Sequence, residues 1–329
     1  MGILSRGTLL AVAFLGALAV QAGALLPKRL VLRSASALVQ DQATGEFLVQ
    51  KRSGEVLPIA SLTKLVTAMV VLDSGLDLHQ PITILEEDKD FLRHSRSRLP
   101  VGTTLTREQA LLLALMSSEN RAARALGRTF PGGMGAFCTA MNTKAHQLGL
   151  LDSRFEDPAG LSSGNVASAL DIARIVDAAH HYPAIRTFTT TTATSILSGH
   201  RVLEFHNTNH LVQNPKWQIG LSKTGFIDES GQCLVMQAQV AHRPVLIVLL
   251  DATGKQSRFE DANRIRQWME GPDAAVVRVA SHRRAGRRVR SKVMRVSTAS
   301  ARRPSRMTSS TPRRAAAPAR RNRRNGRLG

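Results

Sequence analysis

Ser61-Leu62-Thr63-Lys64 sets a hydroxyl and an amine three residues apart. On a helix, side chains at i and i+3 are surface neighbours, so this spacing brings the amine to the hydroxyl. A serine hydroxyl is inert at neutral pH unless a base takes its proton, and a lysine can do so when burial or a nearby cation disfavours its charged form. A Ser-x-x-Lys pattern arises by chance about once in a chain of this length, so its neighbours must carry the argument. Lys223-Thr224-Gly225 is the more specific pattern. A lysine there can recognise a substrate carboxylate, the threonine hydroxyl can hydrogen-bond to it, and the glycine lets backbone and substrate approach closely. Ser-x-Asn occurs as Ser118-Glu119-Asn120 and as Ser163-Gly164-Asn165. The first follows an apolar helix, as a loop displayed at a site would, and the second lies in a Gly-rich connection that reads as a turn.

The elements that must hold these residues are legible in outline. Ser36 to Asp41 and Glu46 to Lys51 read as strands joined across Thr44-Gly45. Leu62, Leu65, Val66 and Met69 recur at helical spacing, which predicts a helix from Pro58–Ser61 to about Leu72 with Ser61 in its first turn. Thr106 and Gln109 have capping-box spacing ahead of the apolar run Ala110 to Met116. Further helices are expected over Met134 to Leu148, stopped by Gly149, and over Ser168 to His180, closed before Pro183. Thr187 to Thr194, Gln218 to Thr224, Cys233 to Val240 and Val245 to Asp251 read as strands, with a close turn at Arg243-Pro244. An amphipathic helix, Gln256 to Met269, closes the fold. The class is α+β: antiparallel strands with a helical block.

Met1 to Ala24 runs from Arg6 through the apolar stretch Leu9 to Val20 to small residues, the order of a signal peptide, so residues 25–271 form the expected folded domain and export is implied. Residues 272–329 contain eighteen of the Arg and Lys behind the formal net charge of +21, and too few large apolar residues to pack, which predicts a disordered tail. Such an arm suits anionic wall polymers, a membrane surface or nucleic acid. Nucleic-acid binding as the main task is disfavoured, because aromatic residues make up only 4% and no zinc-ligand spacing is present. Cys138 and Cys233 allow at most one disulfide, and their apolar contexts favour two buried thiols. The histidines show no metal-site spacing, and neither a metal nor an organic cofactor is implied.

Together the motifs resemble those of the low-molecular-mass penicillin-binding proteins, in particular D-alanyl-D-alanine endopeptidases of the penicillin-binding protein 7 type. Ile59 to Lys64, Leu111 to Ala122, Phe205 to Leu211 and Lys223 to Phe226 all carry the likeness, which covers roughly Ser36 to Gly271. The resemblance implies a DD-peptidase and β-lactamase-like fold, an antiparallel sheet flanked by helices with a helical lobe. It implies that Ser61 is acylated, that Lys64 is its base, and that Ser118 and Asn120 relay protons and orient substrate. Lys223, Thr224 and Gly225 would bind substrate, and the backbone amides of Ser61 and Phe226 would form the oxyanion hole. Substrate would be a periplasmic peptidoglycan peptide, and β-lactam antibiotics would be covalent inhibitors.

Three alternatives follow from the same residues. A D-alanyl-D-alanine carboxypeptidase shares every motif. A class A β-lactamase needs a dedicated deacylating glutamate, and Glu156-Asp157-Pro158-Ala159-Gly160 lacks its Glu-x-x-Leu-Asn pattern. A catalytically inactive wall-binding protein, tethered by its basic tail, is disfavoured by the intact motifs.

Overall fold

The computed structural model describes residues 30–271. The expected signal peptide and basic tail lie outside the described residues. In chain order the elements are β1 (Ser34–Asp41), β2 (Phe47–Lys51), β3 (Leu57–Pro58), α1 (Lys64–Asp73), β4 (Pro81–Thr83) and β5 (Thr104–Thr106). There follow α2 (Arg107–Met116), α3 (Asn120–Arg128), α4 (Gly133–Gln147), β6 (Val166–Ala167), α5 (Ala169–His180) and α6 (Pro183–Thr190). The last are β7 (Ala193–Ser198), β8 (Arg201–His206), β9 (Gln218–Ile227), β10 (Gly231–Val240), β11 (Arg243–Ala252) and α7 (Ser257–Glu270).

One five-stranded antiparallel sheet, ordered β2-β1-β11-β10-β9, organises the rest. Its central strand β11 is buried from Val245 to Leu250, so it is apolar on both faces where an exposed sheet would alternate. The pleat sends Ile247 and Leu249, with Leu234 and Met236 of β10, into one core beneath Phe259, Ala262 and Ile265 of α7. Leu246, Val248 and Leu250, with Val235, join the larger core formed by α1 to α6. Strand β9 forms one edge of this sheet and β2 the other.

Several local expectations meet the structure directly. Gly45 takes φ +74° in the β1–β2 turn. Thr106 caps α2 by accepting from Gln109 N at 3.1 Å, while Gln109 Oε1 accepts from Thr106 N at 2.9 Å. Others are corrected. The expected strand Thr187 to Thr194 is helical as far as Thr190, and β7 begins only at Ala193. Pro183 sits at the first helical turn, where its missing N–H costs nothing, and Ile185, Phe188 and Thr189 bury one face. The β-branched threonines then satisfy their hydroxyls on preceding carbonyls, as Thr190 does on Arg186 O at 2.7 Å. The β10–β11 hairpin turns at Ala241-His242 rather than at Arg243-Pro244: both residues have positive φ, 49° and 59°, the geometry of a two-residue turn, and Arg243 pairs with Val240. Cys138 and Cys233 are free thiols, but only Cys233 is buried and Cys138 is partly exposed.

Candidate active site

Ser61 lies in a 3-10 turn, Ala60–Thr63, that runs directly into α1. The expected helix therefore starts more tightly than a regular one, with Ala60 held at φ +47° and Thr63 Oγ1 donating to Ala60 O at 2.7 Å. Two glycines press against this turn. A Cβ on Gly160 would stand 2.0 Å from Ala60 O, and one on Gly225 would stand 2.9 Å from Ile59 O and 3.3 Å from Ser61 N. Gly225 is the glycine of the Lys-Thr-Gly motif. Gly160 belongs to no motif, and the turn-forming run Asp157-Pro158-Ala159-Gly160 is its one signal in the sequence.

Burial of α1 against the larger core brings Lys64 inside, at 0% exposure. Its Nζ donates to Ser61 Oγ at 2.7 Å, Asn120 Oδ1 at 2.8 Å and Ala159 O at 2.5 Å. An ammonium has three N–H groups and finds three acceptors here. Desolvation pulls its pKa down to about 7, against the opposing pull of Asp157, Glu119 and Asp90. An amine in that range can give up its proton to water and accept one from Ser61 at neutral pH.

The second serine belongs to the segment after α2. Ser118 takes φ +60°, an uncommon conformation for a residue other than glycine, and this turn starts α3 immediately, so Asn120 is helical rather than part of a loop. Glu119 caps that helix by accepting from Arg121 N, and it also accepts from Ser97 Oγ at 2.6 Å. Asn120 Nδ2 donates to Ser95 Oγ at 3.0 Å while its oxygen faces Lys64. From the edge strand, Lys223 Nζ donates to Ser118 Oγ at 2.8 Å and Thr224 Oγ1 meets Thr208 Oγ1 at 2.6 Å. Lys223 is buried with no carboxylate partner among the described residues, and desolvation, Lys64 and Arg258 together hold its pKa well below the ordinary lysine value. Arg258 reaches the strand from α7, donating to Gly225 O at 2.7 Å.

The structure thus brings Ser61, Lys64, Ser118, Asn120, Lys223, Thr224 and Gly225 into one site, with Phe226 next along β9 and 54% exposed. Ser163 is exposed, in the turn expected for it. Its neighbour Asn165 is fully buried and donates to Thr63 Oγ1 at 3.1 Å and Asp157 O at 2.8 Å, so it ties the Ser61 turn to the loop beneath. Glu156 is engaged with Ser162 Oγ at 2.6 Å and Arg154 at 2.5 Å. The Ala159 carbonyl, which accepts from both Lys64 and Ser61, is a backbone group that no side-chain pattern announces.

One serine lies against a buried lysine and a second serine bridges to a second lysine, and residues 24–254 match the model of the D-alanyl-D-alanine carboxypeptidases. The chain belongs to this family of serine peptidases. Among its relatives, a D-alanyl-D-alanine endopeptidase of Pseudomonas aeruginosa is 46% identical over 78% of this chain and 83% of that protein. Another from Escherichia coli is 40% identical over 82% of this chain and 88% of that one. The crystal structure of a Streptomyces DD-transpeptidase superposes with a TM-score of 0.67 at 26% identity, covering 72% of this chain and 97% of its own. The family fold is therefore the one the motifs implied, an antiparallel sheet with flanking helices and a helical lobe.

Proposed function

We propose that this serine peptidase is a periplasmic endopeptidase that opens D-alanyl cross-links of peptidoglycan through an acyl-enzyme on Ser61. The contact of 2.7 Å between Lys64 Nζ and Ser61 Oγ, inside a site where Lys64 is fully buried, supports this most directly. The endopeptidase relatives support the choice of bond.

Neutral Lys64 keeps two N–H groups on Asn120 Oδ1 and Ala159 O, which turns its lone pair toward the Ser61 hydroxyl. Ser61 Oγ bonds to the D-alanyl carbonyl carbon as its proton passes to Lys64 Nζ. The carbonyl oxygen becomes an oxyanion held by the amides of Ser61 and Phe226. The C–N bond then breaks, and the proton on Lys64 passes through Ser118 Oγ to the leaving amine. Water attacks the ester carbonyl as Lys64 takes its proton, and that proton goes to Ser61 Oγ as the acyl–oxygen bond breaks. The leaving amine of a cross-linked diamino acid carries a neighbouring carboxylate, which Lys223 and Thr224 would hold. Its arrival supplies the counter-charge that Lys223 lacks in the free site, so binding and protonation of Lys223 are coupled.

Incubation with purified cross-linked dimers and with uncross-linked pentapeptides, followed by product identification, tests the reading. Monomers released from dimers are the expected product, and Ser61→Ala abolishes their release. Removal of terminal D-alanine from pentapeptides with intact dimers left behind would make the protein a carboxypeptidase. A lasting penicillin adduct on Ser61 is expected, because Glu156 is committed to Ser162 and Arg154.

A further inference from the structure

Lys223 and Ser118 mark one end of the site, and β9 runs from Lys223 past Gly225, beside Ser61 N, toward the β9–β10 turn. At that far end stands an ion pair that the mechanism does not use, Arg93 Nη1 to Glu229 Oε2 at 2.8 Å. Arg93 is anchored. Its Nε donates to Leu161 O, the residue after Gly160, and its backbone N donates to Asp90 Oδ1 at 2.9 Å. The same Asp90 carboxylate, 8% exposed, also accepts from Leu92 N and Ser95 N at 3.0 Å each, and Ser95 holds Asn120. The guanidinium is therefore fixed on the segments that flank Ser61: Gly160-Leu161 on one side and the end of β9 on the other. Among the described residues its Nη2 has no partner. Glu229 is half exposed, and Phe91, Leu92 and Phe226 expose apolar surface along the same rim segments.

We propose that Arg93 and Glu229 form a subsite for an amino-acid zwitterion, the free carboxylate and ammonium at the end of the acyl donor's diamino acid side chain. This rests on the peptidoglycan peptidase reading above. Glu229 lies four positions beyond Gly225, at most about 14 Å of extended chain, a span that one D-alanine and a long diamino acid side chain can cover. The carboxylate would take the unengaged Nη2 of Arg93 and the ammonium the Glu229 carboxylate, with the methylenes against the apolar rim. An Arg–Glu pair presents both charges a zwitterion needs, where a lone cation would select only an acid.

The test compares donors with a diaminopimelate side chain whose terminal carboxylate is free or amidated, each offered as a cross-linked dimer and as a pentapeptide. The native protein is expected to show kcat/KM about tenfold higher for the free form, the worth of one charge-assisted contact. Arg93→Ala is expected to bring the ratio near one by lowering the free form selectively. Glu229→Gln, which leaves the Leu161 anchor in place, is expected to remove selectivity between a free and an N-acetylated side-chain amine. An unchanged ratio in Arg93→Ala, or a loss shared equally by both forms, would overturn the subsite and leave Arg93 a structural pin. Cleavage of pentapeptides alone sinks the endopeptidase reading while the ratio still judges the subsite; cleavage of neither overturns both.

Discussion

Lys64 can act as a base only in the fraction of molecules where it is neutral, and burial sets that fraction. With its pKa drawn down to about 7, the rate of Ser61 acylation by a penicillin should rise about tenfold per pH unit below that value and level off above it. A stopped-flow pH profile reads this, and a limb centred near the ordinary value of 10.5 would show that burial does not lower the pKa of Lys64. The same displacement has a sign for stability. Between about 7 and 10.5 the unfolded chain holds a proton that folded Lys64 has lost, so the Lys64 contribution makes stability climb with pH across that window. The two Ser-x-Asn patterns separate at this scale as well. Ser118→Ala removes the hydroxyl that Lys223 contacts and should slow acylation about 100-fold. Ser163→Ala changes an exposed turn residue and should leave the rate within about twofold.

At the scale of elements, the loop after α4 determines whether the Ser61 turn can exist. Asp157 accepts from the backbone amides of Ala159, Gly160, Leu161 and Ser162 at 2.7 to 3.0 Å, which curls the loop so that Ala159 O faces Lys64 and Gly160 lies on Ala60. Gly160→Ala should cut penicillin labelling of Ser61 at least about 100-fold, because its Cβ would collide with the Ala60 carbonyl at φ +78°. Gly164→Ala provides the contrast. There the obstacle is the carboxylate of Glu156, at the end of a flexible side chain, and labelling should fall by no more than about twofold. Gel quantification of a fluorescent penicillin, beside thermal unfolding, distinguishes lost reactivity from lost fold. Helix α6 runs against residue type: the tetrad Thr189-Thr190-Thr191-Thr192 looks like a strand, but Ile185 and Phe188 have a core to enter and Pro183 supplies a start.

For the whole molecule, the two cores have different tasks. One lies between the sheet and α7, while the larger joins the sheet to the helices that carry Lys64 and Asn120, so sheet and helical parts must pack to complete the site. The expected basic tail lies outside the described residues, and its eighteen positive charges account for most of the chain's formal +21. A chain ending at Gly271 should acylate with penicillin at the full-length rate and should lose salt-sensitive pelleting with wall sacculi, since binding by clustered charge weakens as ions screen it. Equal pelleting by both forms at low salt would remove the tail from wall attachment.

By itself the sequence determined the chemistry that is local. Ser61 and Lys64 are three residues apart, so any helical start brings them together, and Lys223-Thr224-Gly225 announced a strand end that substrate can approach. The antiparallel strands and the caps of α2 and α5 were legible for the same reason, because they depend on neighbours a few residues away. Tertiary structure decided what depends on separation. Lys64 meets Asn120 across 56 positions and the Ala159 carbonyl across 95, and Lys223 meets Ser118 across 105. Burial of Lys64, which lowers its pKa and leaves the amine neutral nearer pH 7, exists only once those segments close over it.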